Sequence, residues 1–113
     1  MRSEGCYNIG LMRLTPEEVA AIQTAFRNHF GSEDHLWLFG SRADDTKYGG
    51  DIDLYVETEE IDLHTALKKQ SAFIIDLWTL IGDQHIDVVI NQLKREHTEV
   101  IYKIAKKTGV PLV

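Results

Sequence analysis

The sequence predicts an α/β (α+β) domain, a sheet covered by helices, from three observations. Segments with apolar residues at helical spacing alternate with short runs rich in Leu, Ile and Val, the pattern of helices packed on strands. Glycine, proline or a capping residue marks the segment boundaries. The 113 residues contain no repeat, no low-complexity stretch and no linker, which suits one core rather than two.

Residues 1–13, MRSEGCYNIGLMR, have a charged start and no apolar h-region, so they read as a flexible N-terminal arm and not as a signal peptide. Met12 is an alternative start, and the folded domain is expected over residues 14–113. Thr15-Pro16-Glu17-Glu18 opens the first helix: threonine caps, proline fits the first helical position and Glu18 stands where a capping-box acid belongs. Val19, Ile22, Phe26 and Phe30 then recur at helical spacing as far as Gly31. Leu36 to Phe39 reads as a strand broken by Gly40. Asp51 to Glu57 alternates, with Ile52, Leu54 and Val56 on one face and Asp51, Asp53 and Tyr55 on the other.

From Asp62 to Ile81, Leu63, Ala66, Leu67, Phe73, Ile74, Leu77 and Ile81 mark an amphipathic helix that Gly82 ends. Ile86 to Ile90 is a β-branched strand with Asp87 inside it. A last helix is expected from Lys94 to Lys107, with Val100, Ile101 and Ile104 on one face and Gly109 beyond its end. Only GVPLV follows that helix, and no further element is expected there. Trp37 is assigned to the core, and Trp78 to the core or to a partner contact. The charges of KREHTEV and KIAKK read as solvated helix faces.

Composition narrows the function classes. Eighteen acids against twelve bases give a net charge of −6, which argues against broad attraction to nucleic acid or anionic lipid. The single Cys6 excludes an intramolecular disulfide and a thiolate zinc site, and suits a reducing cytoplasm. No apolar run nears the roughly 20 residues that a membrane helix needs. A cytoplasmic protein with no membrane and no direct nucleic-acid partner is expected.

Asp51 and Asp53 raise a physical problem. Residues i and i+2 of a strand share a face, so the two carboxylates project side by side and repel. A hard divalent cation such as Mg²⁺ resolves that conflict, and two carboxylates can bridge two such ions about 4 Å apart. Upstream, Gly40-Ser41 ends a strand in a turn whose free N–H groups suit an anion. Ser41 adds a hydroxyl, and Arg42 and Lys47 add positive charge. A phosphate-binding turn thus precedes a metal-binding strand.

FGSRADDTKYGGDIDLYV resembles the signature of the DNA polymerase β-like nucleotidyltransferase superfamily, and most closely its minimal nucleotidyltransferases. That signature is Gly-Ser, a gap of about ten residues and Asp-x-Asp, with a third acid on a later strand. Here those positions fall on Gly40, Ser41, Asp51, Asp53 and Asp87, and the likeness covers residues 15–112. The resemblance implies a small mixed sheet covered by helices and transfer of a nucleoside monophosphate from ATP or another NTP to a hydroxyl. Two Mg²⁺ ions would be held by Asp51, Asp53 and Asp87, and the phosphates by Gly40 and Ser41, with Arg42 and Lys47 nearby.

Proteins of this kind are known as antitoxins paired with all-helical toxins of the HEPN family, which some inactivate by transferring AMP to a tyrosine. A HEPN-family helical partner, in a hetero-oligomer, is accordingly expected. Two other readings stay open: an accessory subunit that silences its partner by binding alone, and a free-standing enzyme acting on a small molecule of the aminoglycoside kind. An EF-hand starting at Asp51 fails, because Tyr55 and Val56 stand where a ligand and a glycine belong. The five histidines show no H-x-H or H-x-x-x-H spacing, so none is assigned to a zinc site. Neither a Walker loop nor a nucleophile elbow is present.

Overall fold

A computed structural model describes residues 14–40, 51–82, 84–94 and 100–113. Three helices accompany one mixed four-stranded sheet, as an α+β chain requires. The elements are α1 (Pro16–His29), β1 (His35–Phe39), β2 (Ile52–Thr58), α2 (Leu63–Ile81), β3 (Ile86–Gln92), α3 (Val100–Thr108) and β4 (Val110–Pro111). Their order across the sheet is β3-β2-β1-β4. β1 runs antiparallel to β2 and to β4, whereas β2 and β3 are parallel. The parallel pair needs a crossover, and α2 supplies it.

Helix α1 starts as its sequence dictates. The Glu18 amide donates to Thr15 Oγ1 at 3.1 Å, and the Thr15 amide donates to Glu18 Oε1 at 2.9 Å. This reciprocal pair satisfies two amides that the helix cannot. Thr15→Ala is expected to cost about 1 kcal/mol, a fall in Tm of roughly 4–6 °C by thermal melting. An unchanged Tm would mean that tertiary contacts alone fix this end. Asp62 caps α2 in the same way, accepting from the Thr65 amide at 3.0 Å.

The core lies between one face of the sheet and the helices α1 and α2. Leu36, Leu38, Ile52, Leu54 and Val56 meet Val19, Ile22, Phe26, Phe73 and Leu77 there, all fully or nearly fully buried. Phe26 stacks on Phe30 with centroids 4.8 Å apart, and Phe73 meets both edge-on at 5.9 and 5.8 Å. At the end of the sheet where β1 begins, Asp34 ties three segments together. Its carboxylate accepts from the Gly31 amide, the Thr58 hydroxyl and the Glu59 amide at 2.9–3.0 Å.

On the second face of the sheet Trp37 and the KIAKK charges depart from expectation. Tyr55 points away from Leu54 and Val56, as expected, and is fully buried because α3 covers this face. Its hydroxyl donates to Glu57 Oε2 at 2.8 Å and accepts from Asn91 Nδ2 at 3.0 Å. Burial is the main reason its pKa is pushed up to about 12. Trp37 is only half-buried, beside Tyr55, with the Lys106 ammonium 5.4 Å from its ring. Lys106 also pairs with Glu57 at 3.3 Å, so this part of KIAKK is not a purely solvated face.

Other expectations are corrected. β4 was not anticipated: Val110 and Pro111 pair with Leu38 and Trp37, and the Leu112 amide donates to Leu36 O at 2.8 Å. Proline is tolerated there because β4 is an edge strand. Gly109 permits this return, since a Cβ on it would press against Leu38 O and Trp37 Cβ at 2.9 and 3.2 Å. Leu63 and Leu67 are exposed, lying roughly 60–100° round α2 from the buried line of Ala66, Phe73 and Leu77.

Of the two assignments for Trp78, the core one fails: the side chain is exposed, its indole N–H donating to Gln84 O at 2.8 Å. Lys94 stands in a turn, and the rest of the expected helix up to residue 99 lies outside the described residues, as does the arm at 1–13. In α3 it is Ala105 that is buried, whereas Ile104 is exposed. No helix among the described residues is long and apolar enough to cross a membrane.

Candidate metal and phosphate site

Strands β2 and β3 bring the acidic residues together at one end of the sheet, beside the end of β1. The β2–β3 ladder makes Asp53 the partner of Asp87, and the β1–β2 ladder makes it the partner of Phe39, which Gly40 follows. Asp51 precedes β2. The neighbouring Ile52 amide donates to His85 O at 3.0 Å, so Asp51 and His85 are also level across the parallel pair. Adjacent strands lie about 4.8 Å apart, and every second residue shares a face. Asp51, Asp53, His85 and Asp87 therefore form a two-by-two array.

Within the array the environments differ. Asp51, His85 and Asp87 are exposed, and one ligand atom from each lies within 4.8 Å of the others. The His85 Nε2 is 3.2 Å from both Asp87 oxygens. Asp53 is half-buried against Gly40, and its pKa is raised. Burial is the first cause; the negative charges of Asp87 and then Asp51 add to it, and His85 acts in the opposite direction. Among the described residues no Lys or Arg forms an ion pair with these carboxylates. A cluster of acids whose donors are mostly oxygens fits a divalent cation.

The raised value has a sign. A carboxyl pKa higher in the folded than in the unfolded chain contributes stability that is complete below the ordinary value of 3.8 and is lost as pH rises through the raised value. At neutral pH the ionised Asp53 therefore works against the fold. Without added cation, Asp53→Asn should melt at pH 7 no lower than the parent, and any advantage should shrink as pH falls toward 3.8. Melting curves across that range check this. A lower Tm for the variant at pH 7 would make Asp53 a structural residue.

Gly40 is placed beside Asp53 for a reason that the sequence does not announce. Its φ is +75°, and a Cβ on it would overlap Asp53 Oδ2 and lie 3.1 Å from Asp53 Cγ. The close approach expected of a phosphate is made here by a carboxylate of the protein itself. Ser41, Arg42 and Lys47 lie outside the described residues. Of the site residues expected, the structure thus brings together Gly40, Asp51, Asp53 and Asp87. It adds His85, which stands at no ligand spacing from another histidine. The signal was present as His-x-Asp on one strand face, the spacing that also pairs Asp51 with Asp53.

No family model matches this chain, and no curated protein matches it.

Proposed function

We propose that this chain is a Mg²⁺-dependent nucleotidyltransferase. It would transfer a nucleoside monophosphate, AMP from ATP, to a tyrosine hydroxyl on a separate helical protein of the HEPN family, and so act as an antitoxin in the cytoplasm. The observation that supports this reading is the cross-strand pairing of Asp53 with Asp87, with Asp51 two residues before Asp53 on the same face and Gly40 at the adjacent strand end. That arrangement agrees with the spacing of Gly-Ser, Asp-x-Asp and a later acid in the sequence. The partner and acceptor rest on the family resemblance.

Asp51, Asp53 and Asp87 would hold Mg²⁺, which when bound neutralises triphosphate charge. In the transfer, the acceptor oxygen forms a bond to the α-phosphorus. The bond from that phosphorus to the bridging oxygen breaks, and pyrophosphate leaves with the electron pair. Asp87, exposed at the edge of the array, would accept the proton of the attacking hydroxyl. A phenol ionises near pH 10, so a modest pull from a carboxylate and local positive charge suffices to make it a nucleophile. Positioning and electrostatics carry most of such catalysis, so a small scaffold is sufficient.

The test uses a purified helical partner, labelled ATP and Mg²⁺, with intact-mass measurement. The partner should gain whole AMP units, and millimolar Mg²⁺ with ATP should raise the Tm of the nucleotidyltransferase itself. At a hundred times Kd that linkage is worth about 2.7 kcal/mol. Silencing by simple binding predicts no added mass, and neutralisation that survives Asp→Asn changes at 51, 53 and 87 together. Such a result would overturn the catalytic reading.

A further inference from the structure

Helix α2 carries an apolar stripe that its packing leaves in water. Leu63, Leu67, Ile74 and Trp78 fall within roughly 60° of one another round the helix, beside the buried line of Ala66, Phe73 and Leu77. Leu63, Leu67 and Trp78 are 49%, 46% and 43% exposed. No acid or base interrupts the stripe, because Gln70 and Ser71 at its middle are uncharged. Gln70 Nε2 donates to Val88 O at 2.8 Å, which sets the stripe against β3, the outermost strand of the described sheet. A sheet edge of this kind invites another chain.

The order of the stripe shows what fits it. Leu63 and Trp78 stand equally far from the midpoint between Gln70 and Ser71, and so do Leu67 and Ile74. Reversed end to end, the stripe presents the same pattern of apolar ends and a polar centre. A surface that matches its own reversal is what a two-fold axis requires. We infer that two copies of this chain pair through antiparallel α2 helices, Leu63 against Trp78 and Leu67 against Ile74, with Ser71 facing its counterpart at the axis. The pairing rests on packing and not on the activity proposed above.

The area sets the strength. On each copy the stripe leaves on the order of 300 Å² of apolar surface in water. Interfaces between identical chains are about 65% apolar, so two stripes, with the half-buried Val88 and Ile90 at their border, correspond to roughly 1,000 Å² in all. That is the lower limit for a specific interface, and a dissociation constant on the order of tens of micromolar is expected.

Sedimentation equilibrium of the full chain from about 1 to 500 µM should show passage from monomer to dimer. Leu67→Glu places two charges in the apolar contact and should weaken association about a hundredfold. Leu67 is half exposed in the single chain, so this variant keeps the parent Tm. Ile104→Glu changes a similarly exposed residue on α3 and should leave the dimer as it is. In a Cys6→Ser background, Ser71→Cys should form an intermolecular disulfide on mild oxidation, because helices packed about 8–10 Å apart bring residues at the axis within disulfide reach. Leu63→Cys lies about 11 Å along the helix from the axis and should not cross-link. A parent that stays monomeric throughout, its stripe covered by residues 1–13 or left for the helical partner, would overturn the inference. So would a dimer indifferent to Leu67→Glu, or one that cross-links through position 63 as readily as through position 71.

Discussion

Asp53→Asn and Asp87→Asn are each expected to lower the proposed AMP transfer about a thousandfold or more, because each removes one negative charge from a site whose proposed chemistry rests on electrostatics and positioning. Asparagine keeps the shape of aspartate, so the loss reports charge and proton acceptance rather than packing. Stability should not obscure the result. Asp87 is exposed, and Asp53 at neutral pH is a burden on the fold. Single-turnover transfer to the helical partner, read beside Tm and partner binding, makes the measurement. Partner binding should survive in both variants, since each change is confined to the array. Activity within about tenfold of the parent in either variant would remove that carboxylate from the chemistry.

The second large effect is expected at Gly40. Its φ of +75° alone makes a side chain costly, and a Cβ would also overlap Asp53 Oδ2. Left-handed backbone at a non-glycine residue costs about 1–3 kcal/mol, and a β-branched residue stands at the upper end. Gly40→Val should therefore lose about 3 kcal/mol of stability together with the rise in Tm proposed above for Mg²⁺ and ATP. Gly40→Ala should fall between valine and the parent.

Two causes are involved, and a double-mutant cycle separates them. Asp53→Ala removes the carboxylate that the new side chain would strike but leaves the backbone strain. The combined Gly40→Ala and Asp53→Ala chain should thus be more stable than the sum of the single changes, by about 0.5–3 kcal/mol. Strict additivity would show that the backbone angle is the whole cost and that the contact with Asp53 is relieved freely.

Local chemistry made much of this fold legible. Thr15, Pro16 and Glu18 interact within one turn, so the start of α1 could be read from four residues. The alternation from Ile52 to Val56 assigned the two faces of β2 correctly, and Asp51 and Asp53 share a face by the same rule. Contacts between distant segments were harder to see. That Tyr55 is buried depends on α3, about fifty residues away, closing over it.

β4 has two residues and a proline, with no periodicity to detect; only the open edge of β1 makes it a strand. Leu63 and Leu67 fit the helical pattern of α2 and yet face outward, because the pattern does not say how wide a stripe the sheet covers. His85 was overlooked for a different reason. Its partners are aspartates on two strands, which histidine spacing along the chain does not register.

The unequal covering of the two sheet faces has a consequence for how the protein opens. Phe26, Phe30 and Phe73 lock α1 and α2 onto one face through an aromatic cluster. On the other face, Ala105 is the one fully buried side chain among those described in α3, and a partly exposed lysine and Tyr102 provide further contacts. Amide protection follows how much must come apart before a hydrogen bond breaks. The amides of α3 should then exchange with deuterium through a partial opening that leaves the rest of the molecule intact. Those of β2, with a strand on either side, should wait for global unfolding. In that opened form Tyr55, Glu57 and Asn91 would be uncovered on the face of the sheet that also bears the acidic array, while the aromatic core stayed closed.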